Sequence, residues 1–390
     1  MHPMNSRVVT IFILTVFLLS SAACSRSNPT SSLSGDSLEG IVNELRATSA
    51  EPWGVTVPGM GAATLTIGDE QPDQAMSGSA NPPGVNPLTP NERFHVGSIT
   101  KTFTAALIML LDQESLLQLN DPISKWFDYP NGDNITVRML LGHTSGLADF
   151  TKSPDFTRRE SPLELLDLAA SMQPLFAPGS HWSYSNTNYT LLGLIAERVT
   201  DMTWAELIIT RLLEPFGLSS TYIWDGVTLP NTAEGSRLAC GELNEPICVP
   251  QSGLKLIAVT NGADWTVAWA AGAIVSTPGD ICKWMMELVT GHVVDLEHRD
   301  LMITPTPQSI EALGDLPAFG PLRWVGDGLG LFQYEVDGAG TGWGHSGAIN
   351  GFVANAAYMR DSLTSLALTS NFAMADSLEA LGDLAIKVHP

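Results

Sequence analysis

Strand-like runs stand near both ends of this chain, and helical ones fill the space between them. Residues 55–67 alternate small and β-branched side chains around Pro58 and Gly61, which reads as two short strands and a turn. Residues 328–336, 341–345, 351–358 and 365–369 are further strand candidates, parted by Gly, Asn and Asp. Between them, residues 102–119 are strongly apolar, with Phe103, Ala106, Leu107, Leu110 and Leu111 on one wide face, as a buried helix requires. Residues 136–141, 189–199 and 204–213 continue the helical pattern, residues 37–47 and 377–388 add a helix at each end, and the Pro- and Gly-rich residues 69–91 read as loop. A sheet can satisfy this order if both termini contribute strands and a helical lobe is inserted between them. The expected class is therefore α/β of the α+β type.

The first residues read as an export signal: Arg7, an apolar run over residues 8–19, then the small-residue site Ser21-Ala22-Ala23. That run is shorter than the roughly 20 apolar residues that span a bilayer. Cleavage after Ala23 exposes Cys24 for lipidation, as in a bacterial lipoprotein, although Ser21 stands where such sites usually carry Leu. Residues 1–23 are read as signal peptide, 24–37 as a Ser-rich flexible tether, and 38–390 as the folded body. With 41 acidic against 19 basic residues and a net charge of −22, nucleic acid and anionic membrane surfaces are disfavoured as partners. Membrane association is expected only through a lipid on Cys24. In an oxidising compartment Cys240 and Cys248, flanking a short polar segment, can close as a disulfide. Cys282, in the run Ile281-Cys282-Lys283-Trp284-Met285, reads as a buried thiol.

Ser98-Ile99-Thr100-Lys101 opens the apolar helix with an S-x-x-K pattern. Three residues advance a helix by about one turn, so the hydroxyl and the amine share a face. A serine needs a base within hydrogen-bond reach, and burial against an apolar helix lowers a lysine pKa enough for that task. A second match, Ser252-Gly253-Leu254-Lys255, has a glycine inside and no long apolar helix after it, and is taken as coincidence. In Tyr184-Ser185-Asn186 the phenol can relay a proton to a leaving group, and the asparagine can hold both the lysine and a substrate amide. In His345-Ser346-Gly347-Ala348 the glycine lets a substrate backbone approach, and the Ala348 N–H can pair with that of Ser98 as an oxyanion hole. Gly344 to Ala348 nearly fits G-x-S-x-G, but Ala348 replaces the final glycine and no helix follows. Ser346 is therefore rejected as nucleophile. His143, in a loop rich in Gly and Thr, reads as a structural group rather than a triad base.

These segments, with Leu140 to Leu147, Trp182 to Tyr189, Ala271-Gly272 and Ser276-Thr277-Pro278 in the same order, resemble the serine β-lactamase and penicillin-binding-protein superfamily. The similarity is greatest to class C β-lactamases, DD-carboxypeptidases and their esterase relatives. The resemblance implies a five-stranded antiparallel sheet beside a helical lobe, with the serine at their junction. It implies that Ser98 forms an acyl-enzyme, that Lys101 and Tyr184 move protons, and that Asn186 with His345, Ser346, Gly347 and Ala348 receives the substrate. His345 stands where many relatives carry a lysine. No metal and no organic cofactor are expected. The implied substrate is a small peptide, ester or β-lactam, with peptidoglycan as a further partner. D-alanyl-D-alanine carboxypeptidase activity ranks first, ahead of a carboxylesterase, a β-lactamase or a catalytically idle penicillin-binding relative. Ala348, where a carboxypeptidase often offers a hydroxyl, departs from that pattern, and Arg323 is a candidate to hold a substrate carboxylate.

Overall fold

Residues 353–359 divide their apolar side chains between two cores. Val353, Ala357 and Met359 enter one, and Ala354, Ala356 and Tyr358 the other. That period of two is what a strand covered on both faces requires. In the computed structural model, which describes residues 37–388 apart from 51–54, 83, 85, 154–160, 240–254, 260–265 and 374, it belongs to a seven-stranded antiparallel sheet. Its strands are β1 (Gly59–Thr66), β2 (Asp73–Gly78), β3 (Leu322–Asp327), β4 (Phe332–Val336), β5 (Gly340–Ile349), β6 (Phe352–Met359) and β7 (Thr364–Ser370). They lie in the order β2-β1-β7-β6-β5-β4-β3, so the N-terminal pair docks on β7 and both termini build one sheet.

The five strands that the resemblance implies become seven, with one further strand at each edge. Strand β2 falls inside the expected loop, since Asp73, Gln74 and Ser77 make it polar. An edge strand tolerates such residues on its open side. Strand β3 was not anticipated, and residues 59–66 form one strand rather than two short ones. The helices that position the site are α1 (Leu38–Thr48), α2 (Thr100–Gln113), α3 (Asn186–Thr200), α4 (Pro278–Val289) and α5 (Ser377–Val388). Helices α1 and α5 cover one face of the sheet, α1 burying Ile41, Val42 and Leu45, while α4 and the inserted lobe cover the other.

Helix α2 runs through the middle of the lobe and is buried almost all round, which explains its wide apolar face. Its threonines join it to its neighbours. Thr100 Oγ1 accepts from Ile274 N at 3.0 Å, Thr102 Oγ1 from Trp284 Nε1 at 2.8 Å, and Thr104 Oγ1 donates to Ala270 O at 2.7 Å. Phe103 stacks on Trp284 with ring centroids 4.0 Å apart. The helix stops at Gln113, short of residue 119, because Ser115 takes a left-handed φ of 59° that ends the α-helical path. Cys282 is buried in α4, its thiol donating to Ser365 O at 3.1 Å, and burial pushes the thiol up to about 12. The signal segment 1–23, Cys24, the tether as far as residue 36, Cys240 and Cys248 lie outside the described residues. Among the described residues, no helix is long and apolar enough to cross a membrane.

One irregularity of the sheet matters for chemistry. Strand β4 pairs with β5 only from Gly340 to Gly344. From His345 to Ile349, β5 keeps its pairing with β6, but its other edge meets no strand among the described residues. An uncovered edge offers main-chain donors and acceptors, and the loop carrying Ser98 packs beside it.

Candidate active site

Two glycines let the Ser98 turn touch this open edge. A Cβ on Gly347 would stand 1.9 Å from Val96 O and 2.9 Å from Ser98 N, and one on Gly97 would stand 2.9 Å from Ala348 N. Gly97 also adopts φ +51°, which favours glycine. The backbone N–H groups of Ser98 and Ala348 thus border the same contact, as an oxyanion hole requires. Ser98 itself sits half-buried on a 3-10 turn, Gly97–Ile99, that runs straight into α2.

Lys101, one turn on, is fully buried. Its Nζ reaches Ser98 Oγ at 3.0 Å, Asn186 Oδ1 at 2.7 Å and Ala271 O at 2.8 Å. Burial pushes the amine down to about 7, against the opposing charge of Asp149. A neutral amine donates twice and accepts once, so with Asn186 Oδ1 and Ala271 O as acceptors its lone pair is left for the Ser98 hydroxyl. Tyr184 shares a hydrogen bond with Ser98, and its ring lies 4.9 Å from Lys101 Nζ. Burial raises the phenol far above its ordinary range, so Tyr184 stays protonated and is equipped to give up a proton rather than to act as phenolate.

The turn that presents Tyr184 and Asn186 is held from behind by His143, at φ +55°. His143 Nδ1 accepts from Ser185 N at 3.2 Å and from Asn188 Nδ2 at 3.0 Å, and its ring lies 4.4 Å from that of Tyr184. Burial holds its pKa well below the usual value. The residue is a neutral structural support, as its loop context suggested. His345 on β5 is likewise buried and pushed down to about 3, chiefly by burial and also by Lys101. Its Nδ1–H donates to Ser346 O, which leaves Nε2 an acceptor. Where a lysine would bring a fixed charge, this ring brings none.

Alternation along β5 sends His345 and Gly347 to the face of the helical lobe and Ser346 and Ala348 to the other. Ser346 lies mid-strand opposite Asn355, not at a strand-to-helix turn. Arg323 is not brought to the site. It faces Glu335 on β4, which faces Thr341, so it lies two strands and four residues from His345. That separation is roughly 10 Å across the sheet and 13 Å along it. In the second S-x-x-K match Lys255 opens a strand, Lys255–Ala258, and Ser252 lies outside the described residues.

Two acidic residues escaped the sequence reading. Asp149, 4% exposed, accepts from Asn186 Nδ2 at 3.1 and 3.4 Å and from Thr151 N and Oγ1 at 3.1 and 2.9 Å. Asp327, 2% exposed, accepts from Trp182 Nε1 at 3.1 Å, and burial raises its carboxyl well above the usual range. Neither has a spacing relation to Ser98, and only the neighbouring Gly146-Leu147 turn hinted at the first.

A family model described as Beta-lactamase matches residues 50–387. Penicillin-binding protein 4* of Bacillus subtilis (strain 168) is 32% identical over 145 residues, a stretch covering 36% of this chain and 32% of that protein. The match thus spans about a third of that relative's length. Among solved structures, the D-amino acid amidase from Ochrobactrum anthropi SV3 complexed with L-phenylalanine amide superposes with a TM-score of 0.74 at 26% identity, covering 90% of this chain and 97% of that one. The D-stereospecific amidohydrolase from Streptomyces sp. gives 0.72 at 26% identity, covering 88% and 97%.

Proposed function

The chain belongs to the Beta-lactamase family of serine hydrolases, and within it we propose an amide hydrolase that works through a Ser98 acyl-enzyme on D-configured amino-acid amides or short peptides. The observation that carries this reading is a buried Lys101 whose Nζ lies 3.0 Å from Ser98 Oγ and 2.7 Å from Asn186 Oδ1, with the Tyr184 ring 4.9 Å away and its hydroxyl hydrogen-bonded to Ser98. Lys101 takes the Ser98 proton as the hydroxyl attacks the carbonyl carbon. The oxygen that gains charge is received by the N–H groups of Ser98 and Ala348. The amine leaves with a proton from Tyr184, which the Lys101 ammonium restores. Water then gives a proton to the neutral Lys101 as it attacks the ester carbon, the bond from that carbon to Ser98 Oγ breaks, and the Lys101 proton returns to Ser98 as the carboxylic acid product leaves. An amine leaves poorly unless protonated, so this arrangement suits amides.

The D-configuration is supported by the neighbours named as D-amino acid amidase and D-stereospecific amidohydrolase. The neutral His345 favours substrates without a carboxylate next to the scissile bond. D-alanyl-D-alanine carboxypeptidase activity is a second reading, supported by the similarity to Penicillin-binding protein 4*. Export with a lipid on Cys24, and with it a Cys240–Cys248 disulfide, belongs to the same proposal and rests on sequence alone.

The test compares kcat/KM on D- and L-alanine amide, a D-alanyl-D-alanine peptide, a nitrophenyl ester and a chromogenic cephalosporin. A fluorophosphonate should label wild type but not Ser98→Ala. Tyr184→Phe should cost amide turnover about 10²–10⁴-fold and ester turnover far less. Turnover of the ester alone would replace the amidase reading with a carboxylesterase, and labelling of Ser98→Ala would remove the nucleophile.

A further inference from the structure

Lys101 Nζ has three oxygen neighbours, and which of them it donates to decides whether it is a base. Ala271 O can only accept. The Asn186 side chain can face the amine with either end. With Oδ1 toward Lys101 it accepts, and the amine keeps its lone pair for Ser98. With Nδ2 toward Lys101 it donates to that lone pair and competes with the Ser98 proton. Nothing in the Lys101–Asn186 pair itself selects between the two.

The selection comes from the other side of Asn186. Nδ2 lies 3.1 Å from Asp149 Oδ2 and 3.4 Å from Oδ1. A carboxylate only accepts, so it admits the amide nitrogen and rejects the amide oxygen. Asp149 is itself held: Thr151 N and Oγ1 donate to Oδ1, Phe150 N donates to Thr187 Oγ1 at 3.2 Å, and Thr187 Oγ1 donates to Ala148 O at 2.6 Å. The carboxylate is therefore tied to the start of α3, the element that carries Asn186.

We propose that Asp149 is a positioning residue for the catalytic base: it locks the Asn186 amide with Oδ1 toward Lys101, so that the amine's lone pair is left for Ser98. This rests on the Ser98–Lys101 reading above and deepens it. The titratable or charged groups facing Lys101 are Asp149, the rings of Tyr184 and Tyr189 at 4.9 and 5.5 Å, and the imidazoles of His143 and His345. Both imidazoles are held neutral by burial, and both phenols are raised by it. Burial drives Lys101 down to about 7, and Asp149 opposes the fall.

The test is a titration of the full chain labelled with 13Cε-lysine, whose six lysines are few enough to resolve. In Asp149→Asn the Lys101 midpoint should fall, since a buried opposite charge has been removed. Asp149→Glu, which keeps the charge, should hold it near the wild-type value. In parallel, the rate of Ser98 acylation by a nitrophenyl ester on the alkaline plateau should drop in Asp149→Asn, where the amide is free to turn, and recover in Asp149→Glu. The titration needs no turnover, so it stands apart from fluorophosphonate labelling, which tests the hydrolase reading. Should Asp149→Asn not fold, Asp149→Ser carries the same expectation. An unchanged or raised Lys101 midpoint in the folded neutral variant overturns the proposal, as does an undiminished plateau rate.

Discussion

Gly347→Ala tests whether the contact between β5 and the Ser98 turn sets the catalytic geometry. The added methyl would lie 1.9 Å from Val96 O and 2.9 Å from Ser98 N. Ordinary contact at a Cβ begins near 3.4 Å, so strand and turn must part by about 1.5 Å along the Val96 direction. Overpacking of this size costs about 1–3 kcal/mol, which a chain with two extended apolar cores should survive folded. The catalytic loss should be larger. The two N–H groups proposed as oxyanion donors sit on the two pieces that separate, and losing one such donor costs about 10²–10³ in kcat. The assay is nitrophenyl-ester turnover alongside a thermal melt. The expected variant melts cooperatively a few degrees lower, still binds fluorophosphonate slowly, and turns over at least about 100-fold more slowly. Wild-type kcat in folded Gly347→Ala would refute the reasoning, because the close approach would then be irrelevant to the reaction.

Three further outcomes follow from the same geometry. The acid limb of kcat/KM should fall near pH 7, where Lys101 gains its proton; with an ordinary lysine the neutral fraction at that pH would be roughly 1500-fold smaller. Lys101→Arg, which stays protonated, should lose at least about 10³-fold, and a profile flat from about pH 5 to 9 would exclude this lysine as the base. Burial raises the Asp327 carboxyl, so the stability it confers is full below about pH 4, the unfolded value, and is lost as pH rises toward the folded one. Asp327→Asn keeps an acceptor for Trp182 without that loss, so its melting temperature should gain on wild type as pH rises above about 4, and a constant difference would refute it. Palmitate incorporation in a bacterial host should disappear in Cys24→Ala, and unlabelled wild-type protein would end the lipoprotein reading.

Much of this site could be read along the chain because its parts are local. Ser98 and Lys101 are one helical turn apart, so their shared face follows from the pitch of the helix, and the apolar run behind them signalled the burial that lowers the lysine pKa. Tyr184 and Asn186 lie within a single turn entering α3, and His345 to Ala348 on a single strand. The helix Ser377–Val388 agreed with the pattern to the residue because its buried positions repeat at helical spacing. What tertiary structure alone decided are relations between segments far apart in sequence. The polar edge strand β2 becomes a strand only because β1 offers it a partner, and β3 only because β4 does. Asp149 becomes relevant to Lys101 through Asn186, and no periodicity links those three positions. Arg323, chemically suited to a carboxylate, is removed from the site by two strands of sheet. Residue type and spacing specify chemistry within one element, whereas distance between elements depends on which surfaces pack, and that is set by the whole core at once.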